Sequence, residues 1–258
     1  MIAIGTEAHA RTRRRAIPVS DVTFYKGEWM EAGEDPWLSP TVFLAEQPPH
    51  YSLQTHFHRQ NQFQLVVEGS ATLGRDALGP VTVHYAGAYT GYGPLVAGAE
   101  GIKYFTIRPV FDTGLIAATE AREKMIRGPK RHTQVTLGEP WSEQALSSLR
   151  EPEDRFAIPA DRGLAVRHVR VPPNATVSLD HVEQSTSLFA FVLAGSGHVA
   201  DQTLIRWESV FATADELLQL QAGPKGAEIV VLHVPPTEPE YLPRTQLNEQ
   251  VTPVLASR

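Results

Sequence analysis

Residues 55–74 read T-H-F-H-R-Q-N-Q-F-Q-L-V-V-E-G-S-A-T-L-G. From Gln62 onward the stretch alternates about Gly69, the pattern of two strands joined by a tight turn. Ahead of it stand His56 and His58, two residues apart, and then Gln62. In an extended strand, side chains at i and i+2 share a face. The two imidazoles can therefore aim at one point, which a divalent cation needs from its first two ligands.

Working outward, short β-like runs continue on both sides. V-T-F-Y-K and P-T-V-F-L-A-E precede the stretch; V-T-V-H-Y-A-G-A-Y and G-I-K-Y-F-T-I-R-P follow it. Their spacing suits a sandwich or small barrel. The texture changes from Thr113. L-I-A-A-T-E-A-R-E-K-M-I-R-G has helical spacing with a glycine stop at Gly128, and P-W-S-E-Q-A-L-S-S-L-R reads as a second short helix. Strand patterns then resume through L-A-V-R-H-V-R-V, S-L-F-A-F-V-L-A-G-S-G-H-V and A-E-I-V-V-L-H-V.

These later strands repeat the earlier ones. P-P-H-Y-S-L at Pro48 matches P-P-N-A-T-V at Pro172. F-Q-L-V-V-E-G-S at Phe63 matches F-A-F-V-L-A-G-S at Phe189. V-A-G-A-E-G-I-K-Y-F-T-I-R at Val96 matches Q-A-G-P-K-G-A-E-I-V-V-L-H at Gln221. Three matches in one order and at nearly one offset indicate a duplicated β domain. The glycines Gly98 and Gly101, against Gly223 and Gly226, fall at the same turn and are read as turn geometry.

Composition bounds the function. The 258 residues include no cysteine, which removes disulfides, thiolate metal sites and cysteine nucleophiles. A formal charge of −6 argues against general nucleic-acid binding. The basic cluster Arg11, Arg13, Arg14 and Arg15 reads as a solvated arm. No apolar run approaches the ~20 residues of a membrane span, and no secretory pattern opens the chain, so a soluble cytoplasmic protein is expected. G-S-G at Gly195 lies in a strand turn, which makes it neither a phosphate loop nor a nucleophile elbow.

The spacing H-x-H-x3-Q-x6-G, on His56, His58, Gln62 and Gly69, resembles the first motif of the cupin superfamily, usually H-x-H-x3,4-E-x6-G. With the duplication, the chain resembles a bicupin over most of residues 20–240. The resemblance implies an all-β fold of two antiparallel jelly-roll barrels joined by a short helical connector. Expected boundaries are a polar arm at 1–17, an N-terminal barrel at 18–112, the connector at 113–155, a C-terminal barrel at 156–240 and a tail at 241–258. It further implies a divalent metal ion, such as Fe, Mn, Ni, Cu or Zn, held by His56, His58 and Gln62.

The sequence departs from the family pattern in three places. Glutamate is replaced by Gln62, a weaker neutral donor. The second-motif histidine is missing, with Tyr92, Gly93 or Pro94 in its place. The C-terminal copy lacks H-x-H: Asp180 or His181 aligns with His56, and Leu188 stands near the Gln62 position. Two readings stay open. One is a small-molecule enzyme, of metal-dependent oxygenase type, acting in the N-terminal barrel on a small anionic substrate that offsets the uncompensated metal charge. The other is a non-enzymatic bicupin that binds a small ligand without metal or serves as a dimeric scaffold. Gln64, which shares parity with Gln62, and His84, Tyr92 and Tyr104 are candidate pocket residues; Tyr89 is weighed with them and, like the other tyrosines, also suits plain packing. His50 reads as a loop or rim residue, His181 with Glu183 as a polar loop ahead of a strand or, at strand spacing, an acid–base pair, His198 and His233 as structural or surface residues, and His168 as lying on a solvent face. Exposed sheet edges suggest a homodimer.

Overall fold

The computed structural model describes residues 1–19, 21–31 and 39–242. Part of the run G-E-W-M-E-A-G-E-D-P, and the expected tail from residue 243 on, lie outside the described residues. The chain is mostly β and divides into two compact units. Residues 13–136, with the segment from Thr237, make one; residues 1–12 with 137–236 make the other.

In the N-terminal unit the main path of hydrogen-bonded strands runs His132–Thr136, Thr82–Ala86, Gln62–Leu73, Leu95–Arg108, Thr41–Gln47, Val22–Met30 and Arg15–Val19. In the other unit it runs Ile2–Gly5, Ser209–Thr213, Ser187–Val199, Gln219–Val234, Leu164–Val171 and Glu153–Asp161. Every pairing is antiparallel, and neither path closes on itself. The first six strands of the N-terminal path match the six of the other in order, as the repeated segments require, and Arg15–Val19 is an addition at the N-terminal unit's edge.

The match extends to irregularities inside the long strands: the tight turns expected at Gly69 and Gly195 are absent, because Gln62–Leu73 and Ser187–Val199 each run through their glycine as one strand whose ladder shifts register there. Gly69 and Gly195 both have positive φ, 76° and 71°. A Cβ on Gly69 would lie 2.2 Å from the Gly101 carbonyl oxygen, and one on Gly195 would lie 2.1 Å from that of Gly226. Only glycine lets the two chain segments approach so closely.

Period two then sorts the strands. Val169, Leu188, Val192, Val210, Ile229 and Val231 form the buried core of one unit. Val66, Leu95, Ile102 and Tyr104 lie in that of the other. Residues of the same parity at the strand ends face the same interior, and this places Gln62, Gln64 and Arg108 on the inner face of the N-terminal unit.

Four further expectations need correction. Residues 1–17 are not an arm. Ile2–Gly5 is an edge strand paired with Ser209–Thr213, because Ile4 packs on the C-terminal core, and Arg15–Val19 pairs with Val22–Met30. The helix expected between Leu115 and Gly128 shrinks to a 3-10 turn, Ala118–Glu120, and one helical turn, Ala121–Lys124. Ile116 and Ala117 instead pair with Phe57 and His56. Segment 113–155 is therefore no purely helical connector, since His132–Thr136 is also an edge strand of the N-terminal unit. The helix Glu143–Ser148 does form, with Ser142 Oγ accepting from the Ala145 amide at 3.3 Å. Finally, His168 is buried rather than solvent-facing. Its Nε2 lies 2.7 Å from Glu228 Oε1, which also accepts from Arg170 Nε at 3.0 Å. Pairing with Arg170 satisfies the Glu228 charge, so its burial costs less than composition alone suggests.

Among the described residues, no helix is long and apolar enough to cross a membrane.

Candidate functional site

Backbone pairing places the first histidine. The His56 and Tyr92 main chains exchange two hydrogen bonds, N to O at 3.1 and 3.0 Å, so the Tyr92 ring packs against the His56 ring with centroids 4.6 Å apart. His58 follows, and the two imidazole centroids lie 5.3 Å apart, edge to face. The two rings that H-x-H was expected to bring to one face are thus neighbours. His56 Nδ1 is 2.7 Å from the Gln54 carbonyl oxygen. A carbonyl only accepts, so Nδ1 carries the proton and Nε2 keeps its lone pair in the neutral ring. His56 also lines a pocket of about 310 Å³ with residues 51–55, Asp21, Leu115 and Ala117.

Gln62 also turns inward, but its amide is engaged at both ends. Nε2 donates to the Tyr92 hydroxyl in a short contact, and Oε1 accepts from Arg108 Nε at 3.0 Å. Arg108 Nη2 lies 3.2 Å from His58 Nδ1 and 3.4 Å from His58 Nε2, so the guanidinium covers both ring nitrogens. Asp112 completes the cluster. Its Oδ1 is 3.4 Å from His58 Nδ1 and accepts from the Gly114 amide at 2.7 Å, while Oδ2 accepts from the Arg59 amide at 2.9 Å. All of these side chains are buried.

The other pocket candidates sit close by. Gln64 Oε1 is 3.0 Å from His84 Nδ1. His84 Nε2 is buried without a partner, and the His84 ring lies 5.0 Å from that of Tyr92. The Tyr104 hydroxyl accepts from Gln47 Nε2 at 2.9 Å, and Tyr104 lines a small cavity with Gln64 and His84. Tyr89 packs instead against Phe57 and Tyr241. His50 is exposed, with φ 61°.

Charge in this interior is set by burial and by Arg108. Burial, then the charges of His58 and Arg108, push His56 down to about 4 against the raising effect of its bond to Gln54. His58 is lowered chiefly by burial, opposed by Asp112. Burial alone would raise Asp112, yet the His58 hydrogen bond and the Arg108 charge bring it down to about 2. Burial raises Tyr92 and Tyr104, so both hydroxyls stay protonated. At neutral pH the cluster therefore holds one buried cation, Arg108, and one buried anion, Asp112.

This donor set can be tested against the divalent metal that the motif implies. His56 Nε2 is available. Gln62 Oε1, the atom that would ligate, is already an acceptor for Arg108, and both His58 nitrogens lie against the same guanidinium. Unit charges 4 Å apart at an effective dielectric near 20 interact by about 4 kcal/mol, and a dication doubles that. With Arg108 where it lies, the residues do not fit a divalent cation. Among the described residues, no three His, Cys, Asp or Glu side chains gather into a metal-holding group.

Arg108 and Asp112 are the residues that sequence reasoning missed. One signal for Arg108 was there: Ile102, Tyr104, Thr106 and Arg108 alternate along one strand, and the repeat sets Arg108 against His233. In the C-terminal unit His233 is fully buried, its Nε2 has no partner, and its ring lies 6.3 Å from that of His181. Glu183 is exposed, and His198 Nδ1 meets Thr203 Oγ1 at 3.0 Å.

No protein-family model matches the chain, and no curated protein does. Solved structures do. A protein of Nostoc punctiforme presumed to be a dioxygenase is 13% identical, with TM-score 0.57 over 92% of this chain and 81% of that one. The Escherichia coli pirin YhhW, solved in complex with nickel(II), is 11% identical, with TM-score 0.56 over 92% and 100%. Bacillus subtilis oxalate decarboxylase is 13% identical, with TM-score 0.56 over 82% and 72%. At these identities the likeness is one of fold: the chain shares the fold of these cupin proteins, as its duplicated pattern leads one to expect.

Proposed function

We propose that this chain is a small-molecule protein of the bicupin kind, two jelly-roll barrels with a connecting segment, whose N-terminal barrel takes a small anionic molecule at the pocket lined by His56. The observation that carries this reading is the combination of that pocket with a buried guanidinium behind it, since Arg108 Nη2 is 3.2 Å from His58 Nδ1 and the His58 ring is 5.3 Å from that of His56, which lines the pocket. A ligand carboxylate reaching past His56 would meet a cation already desolvated, where charge-assisted hydrogen bonds are strongest. The structural neighbours lend support, because oxalate decarboxylase acts, by its name, on a small anion. The exposed edge strands Arg15–Val19 and Glu153–Asp161 suit association into a homodimer.

A second reading, a metal-dependent enzyme of oxygenase type with His56, His58 and Gln62 as ligands, is favoured by the 5.3 Å approach of the two imidazoles and by the nickel in the pirin. It requires the Arg108 side chain to withdraw.

Titration with oxalate and with benzoate, followed on the histidine ring resonances, tests the first reading. Saturable shifts at His56 and at the neighbouring His58 ring are expected, those at His58 being lost in His56→Ala. Their absence at millimolar ligand rejects it. Elemental analysis of protein made without a histidine tag speaks to the second, which needs one metal per chain, lost in His56→Ala/His58→Ala.

A further inference from the structure

We propose that the Arg108 guanidinium stands in for a divalent cation, so that the N-terminal unit satisfies its H-x-H site with a cation of its own chain and excludes metal. The inference rests on this site being the working one, but not on the ligand proposed for it.

The guanidinium is delivered by a rigid element. Arg108 ends the strand Leu95–Arg108, where it pairs with Thr41 on one side. On the other side the ladder pairs Ile107 with Phe63 and Thr106 with Gln64, so the next position sets Arg108 opposite Gln62. Strand parity points both inward with Tyr104 and Gln64. A cross-strand neighbour of the third motif position thus supplies the positive charge.

The departures from the motif make sense together. Gln62 accepts from Arg108 at one end and donates to Tyr92 at the other. A carboxylate could only accept from that hydroxyl, so the amide is the form that can take the Arg108 hydrogen at one end and give one to Tyr92 at the other. Charge agrees as well. Arg108 contributes one positive charge, Asp112 one negative, and the amide none, which leaves the buried cluster neutral. A glutamate at position 62 would add an unbalanced anion in a site without a dication. Glutamine is therefore the residue that suits a monovalent, covalently tethered cation.

Cobalt(II), whose visible absorption reports histidine coordination, provides the test. The wild-type protein is expected to show no saturable band. The variant Arg108→Leu/Gln62→Glu, which removes the guanidinium and restores a carboxylate, is expected to bind one equivalent, with the band abolished when His56→Ala is added. A wild-type protein that binds one equivalent through His56 overturns the proposal. So does a double variant that folds cooperatively yet binds none. If the double variant does not fold, the single Arg108→Gln is read by the same criteria. The wild-type protein also supplies a measurement of its own. The Arg108 Nε–H resonance should resist solvent exchange and remain unmoved by one equivalent of cobalt, and paramagnetic shifting of it with the His58 ring refutes the idea. Carboxylate binding is scored separately on the His56 resonances, so loss of that reading leaves this result standing.

Discussion

His84 and His233, one in each unit, are buried imidazoles with unpartnered Nε2 atoms. Burial first, then nearby groups, push each down to about 3: His132 and His56 for His84, Arg167 and His181 for His233. In the unfolded chain each would titrate near its ordinary value of 6.5. Between those values the unfolded state binds more protons, so stability rises with pH. The contribution is complete above about 6.5 and falls by roughly 1.4 kcal/mol per pH unit per histidine as pH drops toward 3. Asp112 acts lower, losing its contribution from its ordinary 3.8 down through about 2. Urea unfolding should therefore show a lower midpoint at a pH near 4.5 than at neutrality, and His84→Gln/His233→Gln should flatten that slope. An unchanged slope in the double variant would show that these two histidines are not its source. Of the site itself, His56, His58 and Gln62 were legible because their meeting depends on local spacing. Arg108 was not, because its contact with Gln62 depends on the register of a ladder interrupted between Ala97 and Ile102 and again between Lys103 and Tyr104. His168 misled for a related reason: its flanking arginines suggest solvent, and only the cross-strand Glu228 reverses that.

At the level of elements, the paired glycines within the long strands make the duplication quantitative. Gly69→Ala and Gly195→Ala each meet a positive φ and a backbone oxygen that cannot yield, so both should lower the denaturation midpoint strongly, by more than the ~1–2 kcal/mol that αL strain costs alone. Gly138 has φ 86° but open space around it, so Gly138→Ala should cost only the strain. Gly79 has open space and no positive φ, so Gly79→Ala should be near neutral or slightly stabilising. Equal losses at all four sites would rule out close chain approach as the cause. The long strands were legible because alternation over eight or more residues is a strong signal. The four-residue strand Ile2–Gly5 offers too few alternations to stand out. The helix expected after Leu115 failed because Ile116 and Ala117 found a tertiary partner in His56–Phe57, and packing overrides helical spacing.

On the scale of the whole molecule, the C-terminal unit draws on both halves of the chain. A fragment of residues 137–236 lacks Ile2–Gly5 and so leaves Ser209–Thr213 as a bare edge. It should unfold at lower denaturant than the same fragment with residues 1–12 fused through a flexible linker, and it should aggregate more readily. Equal midpoints would mean that the edge strand is dispensable. The same strand sets a clock during biosynthesis. Ile2 pairs with Ala212, some 210 positions downstream, so at roughly 5–20 residues per second the ribosome leaves the first strand without its partner for about 10–40 s. The strands of the N-terminal unit can pair during that interval, with its segment from Thr237 docking last, whereas the C-terminal unit must wait for its own last strands and then recapture Ile2–Gly5.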